Sequence, residues 1–202
     1  MTAAVFHSKY DDIQIVVREG VAPVVQNAGV ATIDGAELEW KLALTEGLEL
    51  SGGAGYTDFK YDSFTSQLNA SQAALAPGAL GRVDLTDQQA YTPKYTANLG
   101  LSYRWRTPVG TFTPRADMFY RSETFFDAPN TEQIAQPAYE AYNGSLRYAD
   151  SRGRWVITTG VTNFTNRRYR VSGNSSLTAS SGYAEVVYAP PRQWFLQGSY
   201  NF

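Results

Sequence analysis

The sequence predicts an all-β chain, a segment of an antiparallel transmembrane β-barrel with about eight long strands. Three observations predict it. Apolar and polar residues alternate with a period of two over eight segments, the spacing that separates the two faces of a strand. Tight turns and long connections alternate between those segments, the layout of an outer-membrane barrel with short periplasmic turns and long extracellular loops. Aromatic residues are abundant, with 14 Tyr, 10 Phe and 4 Trp in 202 residues. Aromatic side chains favour pleated strands and membrane interfaces.

Taken in order, the first segment is a weak alternation over 3–17. In the second, Leu38, Trp40, Leu42 and Leu44 alternate with Glu37, Glu39 and Lys41. A third covers 48–61. The cleanest runs from Tyr95 to Arg106, with Tyr95, Ala97, Leu99, Leu101, Tyr103 and Trp105 on one face. Thr96, Asn98, Gly100, Ser102 and Arg104 fall on the other. Phe112, Ala116, Met118 and Tyr120 then alternate with Thr113, Arg115, Asp117 and Arg121. Two weaker segments follow at 138–149 and 154–164. The last sets Trp194, Leu196, Gly198, Tyr200 and Phe202 against Phe195, Gln197, Ser199 and Asn201. A soluble sandwich or jelly roll also alternates, but its strands average about five or six residues.

Three connections are tight: Thr45-Glu46-Gly47, Thr107-Pro108-Val109-Gly110 and Asp150-Ser151-Arg152-Gly153. Each supplies Gly, Pro or Asp where a hairpin needs unusual backbone angles. The long ones cover about 62–92, 122–137 and 166–192, with an intermediate one near 18–29. Trp40, Trp105 and Trp155 each lie within a few residues of a tight turn. They are expected to form an interfacial girdle on the periplasmic side, where an amphipathic indole belongs.

Composition narrows the function classes. A mean hydropathy of −0.34 excludes helical spans but not a barrel, whose strands show apolar groups to lipid only on alternate residues. There is no cysteine, so no disulfide, thiolate metal site or thiol nucleophile is available. A net charge of −2 gives no reason to expect nucleic acid. The single histidine, His7, is expected on the polar face as a hydrated side chain. Asp11-Asp12 and Glu37/Glu39 lack metal-ligand spacing. The chain therefore reads as a non-enzyme with no cofactor. Met1–Phe6 lacks the basic and apolar regions of a secretion signal, so the chain is expected to begin inside a longer barrel.

Two stretches carry more specific information. Tyr200-Asn201-Phe202 ends the chain on an aromatic residue of the apolar face, resembling the terminal signal read by the barrel-insertion machinery. Val161-Thr162-Asn163-Phe164-Thr165-Asn166-Arg167-Arg168-Tyr169 resembles the V-x-N-L-x-(D/N)-(K/R)-x-Y segment of the TonB-dependent outer-membrane receptors. It is followed, as there, by Tyr188-Ala189-Pro190-Pro191-Arg192 and a last strand. Gln26-Asn27-Ala28-Gly29 with Ile33-Asp34-Gly35-Ala36-Glu37-Leu38-Glu39 resembles that family's N-A-G … I-x-G-x-E-x-E strand. Phe164 and Asn166 depart modestly from the family's usual Leu and Asp.

The resemblance implies a barrel of about 22 strands filled by a plug domain, in the outer membrane of a Gram-negative bacterium. Residues 1–202 are then expected to be its C-terminal portion, with the plug and earlier strands absent. The implied function is import of a scarce ligand, a ferric siderophore before any other, energised by TonB through the plug region. The implied partners are outer-membrane lipid, that small ligand and the insertion machinery. Ligand contacts are expected from Tyr61, Phe64, Arg82, Phe125, Phe126, Arg170 and Tyr183 in or beside the long loops. The alternative is a self-contained eight-stranded barrel with a structural or adhesive role. Such a barrel needs complementary charges across a narrow interior, whereas Ser, Thr, Asn, Gln and Gly dominate the polar face here.

Overall fold

The computed structural model describes residues 1–202 apart from 20–21, 66–73, 77–78 and 179–181. Parts of the connections expected at 18–29, 62–92 and 166–192 lie outside the described residues. The strands are β1 (Thr2–Glu19), β2 (Ala22–Ala43), β3 (Leu48–Phe64), β4 (Tyr95–Tyr103), β5 (Trp105–Thr107) and β6 (Gly110–Arg121). They continue with β7 (Tyr139–Asp150), β8 (Trp155–Thr162), β9 (Arg170–Ser176), β10 (Tyr183–Tyr188) and β11 (Gln193–Tyr200). An antiparallel wall runs β1-β2-β3-β4-β6-β7-β8-β11, with β5 continuing β4 alongside β6. The interruption falls at Arg104, whose N–H donates instead to the Gly47 carbonyl of the β2–β3 turn at 2.7 Å. Among the described residues β1 and β11 do not pair, so the wall is open between them.

The register turns the alternation into two continuous faces. On one, Leu42, Leu50, Leu101, Ala116, Gly144, Val161 and Trp194 stand side by side from β2 to β11. On the other, Lys41, Ser51, Gly100, Asp117 and Asn143 stand in a row. Leu99, Leu101, Ile157, Trp194 and Leu196 are all exposed on the first face. A soluble surface rarely carries an apolar patch of that extent. We call the apolar face outer and the polar face inner. Gly52 serves the outer one: the Trp40 ring lies across it, and a Cβ there would sit 2.4 Å from the indole.

Aromatic rings cluster toward the tight-turn end. Trp105 packs on Phe112 at 5.9 Å, Phe112 on Tyr148 at 4.8 Å, and Trp155 on Tyr200 at 4.7 Å between centroids. Tyr200 in turn meets Phe202 edge-on at 5.0 Å. All three tight connections form as the sequence predicts. Thr107 pairs with Gly110 across a two-residue loop, the Leu44 N–H reaches the Leu48 carbonyl at 2.8 Å, and Asp150 Oδ1 accepts the Trp155 N–H at 2.8 Å.

Three expectations need correction. The connection near 18–29 is strand except at the undescribed 20–21, because β1 and β2 continue pairing as far as Glu19↔Ala22. Two irregularities make this extension possible, one around Asp12 (φ 58°) and one at Gly29 (φ 131°). Gly29 is close against β3, where a Cβ would lie 2.2 Å from the Ser63 carbonyl oxygen. The connection at 166–192 contains a hairpin, β9–β10, pairing Tyr183↔Ser176 through Tyr188↔Arg170. His7 is not on the polar face. It pairs opposite Asp34 on the outer face, two residues beyond Val5, and its Nδ1 lies 2.7 Å from Asp34 Oδ1. Ala3 and Ala4 leave the start of β1 with a weak alternation, and the register with β2 decides its face.

Packed side chains gather at one end of the wall. Ile15, Val17, Ala28, Ala31, Phe59, Tyr61, Val83 and Ala128 form one buried cluster, with Ile13, Ile33 and Phe64 packed against it. Ala31, Ile33, Phe59 and Tyr61 belong to the inner face, so the long connections fold inward over the mouth of the wall.

Candidate functional site

The loops form one layer, and short polar contacts hold it. The Tyr61 hydroxyl donates to Gln89 Oε1 at 3.0 Å. The Gln88 N–H donates to Asn130 Oδ1, and Asn130 Nδ2 donates back to the Gln88 carbonyl, both at 2.8 Å. The Tyr91 N–H reaches the Phe125 carbonyl at 2.8 Å, and the Tyr91 and Phe126 rings pack at 5.3 Å. Asp127 accepts the backbone and hydroxyl hydrogens of Thr131 at 2.8 and 2.6 Å. The hairpin joins the layer through the Arg170 N–H, 2.6 Å from Gln136 Oε1, and through its guanidinium on the Ala135 carbonyl. Between β1, these loops and β9 lies a cavity of about 330 Å³, bordered by Ile15, Tyr91, Phe126, Thr131 and Asn174.

The residues expected to contact a ligand occupy varied positions. Tyr61 and Phe126 are buried, at 4% and 7% exposure, and Phe126 borders the cavity. Phe64 packs against the buried cluster, and Phe125 is half-buried. Arg82 is engaged by Asp84 at 2.9 Å and by the Leu75 carbonyl. Arg170 ties β9 to the 122–137 loop, as described. Tyr183 is exposed at 47%, on β10. Gln89, Tyr91 and Asn130, which hold the layer together, carry no periodic or motif signal in the sequence.

Asp87 gives the layer a pH response. Burial, with Asp84 and Asp127 nearby, pushes its carboxyl up to about 6, against the Asp84 N–H that favours the anion. Because the folded value exceeds the ordinary one, ionisation opposes folding above about pH 6, and that penalty is relieved as pH falls from there toward 3.8. Amide exchange across 84–92, corrected for intrinsic rates, is expected to slow between about pH 7 and about pH 5. Asp87→Asn should flatten that change. An equal pH response in the variant would remove Asp87 as its origin.

A second space opens on the inner face, just below the loops. It measures about 510 Å³ and is bordered by Asn98, Phe119, Arg121, Tyr139, Asn143, Tyr169 and Gln193, among others. The Tyr139 and Tyr169 rings stack at 4.3 Å with an interplanar angle of 15°. Asn163 holds its rim. Its Nδ2 donates to the Arg167 and Pro190 carbonyls at 2.9 and 3.2 Å, and its Oδ1 accepts the Arg167 N–H at 2.7 Å. Asn163 adopts φ 50°, a left-handed conformation that asparagine tolerates better than most residues. Asn166 Oδ1 in turn accepts the Arg192 N–H at 2.9 Å. The motif residues thus knot the end of β8 to the start of β11. Among the described residues, no group of three or more His, Asp or Glu is placed to hold a metal ion.

An open antiparallel wall with an apolar outer face, tight turns at one end and a folded loop layer at the other defines a membrane-barrel segment. The chain belongs to the TonB dependent receptor-like, beta-barrel family, whose model matches residues 1–164. It is 26% identical over 188 residues to the pesticin receptor of Yersinia pestis, covering 92% of this chain and 24% of that protein. It thus spans about a quarter of the length of the curated relatives it matches. In structure it is similar to the ferric yersiniabactin uptake receptor of Yersinia pestis, with a TM-score of 0.75 at 22% identity, covering 99% of this chain and 27% of that one. The ferric preacinetobactin receptor of Acinetobacter baumannii gives a TM-score of 0.70 at 20% identity, with coverages of 99% and 27%. At those identities the likeness establishes the fold. The relatives so named are receptors rather than enzymes.

Proposed function

We propose that this wall belongs to an active-transport receptor in the outer membrane of a Gram-negative bacterium. It imports a scarce ligand, a ferric siderophore before any other, with energy delivered through TonB. Residues 1–202 are its C-terminal barrel portion. The observation that carries this reading is the apolar row from Leu42 to Trp194 backed by a polar inner face. That is the two-sided surface a barrel strand needs between lipid and an aqueous lumen. Trp40, Trp105 and Trp155 then sit at the periplasmic lipid boundary, and Tyr200 and Phe202 present themselves to the insertion machinery. The long connections face the outside, where Tyr183 and the loop cavity beside Phe126 are open to an arriving ligand. TonB acts through the plug region of the whole receptor rather than through this wall.

The test uses the complete reading frame that carries these residues. It is expressed in a strain lacking its own siderophore receptors, and labelled iron uptake is followed across a panel of ferric chelates during iron limitation. At least one chelate should accumulate, and deletion of tonB should abolish that accumulation. Failure of every chelate, or uptake that persists without TonB, would overturn the reading.

A further inference from the structure

The geometry points to a lipid-headgroup site at the loop end of the outer face, where Lys60 and Lys94 hold the phosphate of an outer-leaflet lipid. The inference rests on the receptor reading, which puts the apolar face in lipid and the long connections outside, and it adds the lipid's class. Toward the loops, one row of that face sets Leu38, Ala54, Ala97 and Tyr120 side by side, and the next sets Ala36, Tyr56 and Tyr95. The Tyr56 and Tyr95 rings pack at 5.3 Å between centroids. Charge begins one row higher, with Asp34 beside Asp58, and continues with Lys9, Thr32 and Lys60. From Trp105 to Tyr95 the chain covers about 33 Å of strand, or about 25 Å of height at barrel tilt, which is the height of a lipid-facing band. The tyrosines therefore mark the outer lipid boundary, and the charges above them stand at headgroup level.

A recess is built at this level. β4 begins at Tyr95, opposite Tyr56, so the upper part of β3 has no strand on that side. The connection before β4 lies there instead and leaves a space of about 320 Å³, bordered by Asp58, Lys60, Leu85, Thr86, Thr92 and Lys94 among others. Both ammoniums reach Asp58, at 2.8 Å from Lys60 and 3.2 Å from Lys94, and Lys94 lies 5.7 Å from the centre of the Tyr56 ring. Asp58 is the only carboxylate bordering the recess among the described residues. It is also the deepest of the three charges, 20% exposed against 66% for Lys60 and 42% for Lys94, so an arriving anion meets the ammoniums first. Each ammonium carries three donors, and Asp58 does not use them all. The carboxylates nearby are engaged: Asp34 lies 2.7 Å from His7 Nδ1, and Asp62 accepts the Thr32 hydroxyl at 2.6 Å. Thr86 and Thr92 add hydroxyls suited to the sugar or glycerol that carries a phosphate. Lysines beside an anionic lipid surface attract it, and two that converge on one recess localise that attraction.

The test titrates the purified whole receptor in detergent with a bisphosphorylated glucosamine-disaccharide lipid and with the same lipid stripped of its phosphates, reading bound lipid by native mass spectrometry. Wild type should prefer the phosphorylated form by about tenfold or more. Lys60→Gln combined with Lys94→Gln should remove most of that preference, whereas Lys41→Gln on the inner face should leave it intact. Asp58→Asn frees both ammoniums and should tighten binding of the phosphorylated form severalfold, the opposite of what a purely structural ion pair would give. An unchanged preference in the double variant, or weaker binding in Asp58→Asn, overturns the inference. Millimolar inorganic phosphate should not displace the lipid, and full displacement would overturn the lipid assignment. Equal affinity for the two lipids, in a receptor that still inserts into phosphatidylcholine vesicles, would sink the inference and leave the receptor reading standing. A purified receptor that stays out of such vesicles would sink the receptor reading itself.

Discussion

Leu99→Arg or Leu101→Arg is expected to stop the whole receptor from assembling into a bilayer. Both leucines lie on the outer face near the middle of β4, flanked by Gly52 and Met118 or by Leu50 and Ala116. Both are exposed among these neighbours, so the side chain meets whatever surrounds the wall. In hydrocarbon, an arginine at the midplane costs about 2–4 kcal/mol. A long side chain here is several residues from either water boundary and can recover only part of that by reaching outward. Folding yield into lipid vesicles, read by heat-modifiable gel mobility, should fall sharply. Asn98→Ala and Ser102→Ala, on the inner face of the same strand, should fold nearly as well as wild type. Ser102→Arg provides the matched comparison, because its neighbour across the β3 pair is Glu49. Equal sensitivity of Leu101 and Ser102 to arginine would defeat the assignment of faces.

Asn163→Ala should release the connection between β8 and β11. The side chain is only 5% exposed and makes three hydrogen bonds, to Arg167 twice and to Pro190 once. Losing them removes roughly 3 kcal/mol, and alanine adds about 1 kcal/mol for the left-handed backbone. The Arg167 N–H and two carbonyls lose their partner at the same time. Trypsin cleavage of the folded receptor at Arg167 and Arg168 should accelerate by tenfold or more, on the order implied by a loss of this size. Asn163→Gly isolates the hydrogen bonds by removing the backbone strain, and should be nearly as susceptible. Unchanged cleavage in both variants would mean that the knot does not hold the loop.

The wall was legible in the sequence because lipid on one side and water on the other enforce a period of two. Tyr95–Arg106 declares both faces by itself, and its register with β3 and β6 follows the same parity. His7 differs from its expected face because Ala3 and Ala4 make β1 ambiguous over its first residues, and only pairing with β2 resolves it. The outer half of β2 leaves no such trace, because the register slips beside Gly29 and a single alternation cannot be followed through it. The loop layer left even less trace. Tyr61 meets Gln89, and Gln88 meets Asn130, through connections whose composition reads as irregular. The Asn163 segment was visible as a resemblance, but its physical role needs Pro190, which lies 27 residues away in the chain.

The paired irregularities in β1 and β2 also constrain how this part of the chain can change length. Between Tyr10↔Ala31 and Ile13↔Gly29, β1 has two intervening residues against one in β2; before Gln14↔Asn27, β2 has one extra against none. Each irregularity inverts the phase of its own strand, and together they return the two strands to step. Ile13, Ile15 and Val17 consequently share the buried side with Ala31 and Tyr61. Deleting one residue from either irregularity would leave one strand inverted against the other. Ile15 and Val17 would turn outward while β2 kept its facing. The viable length change here is therefore coupled, one residue from each strand, and the two irregularities are gained or lost as a unit.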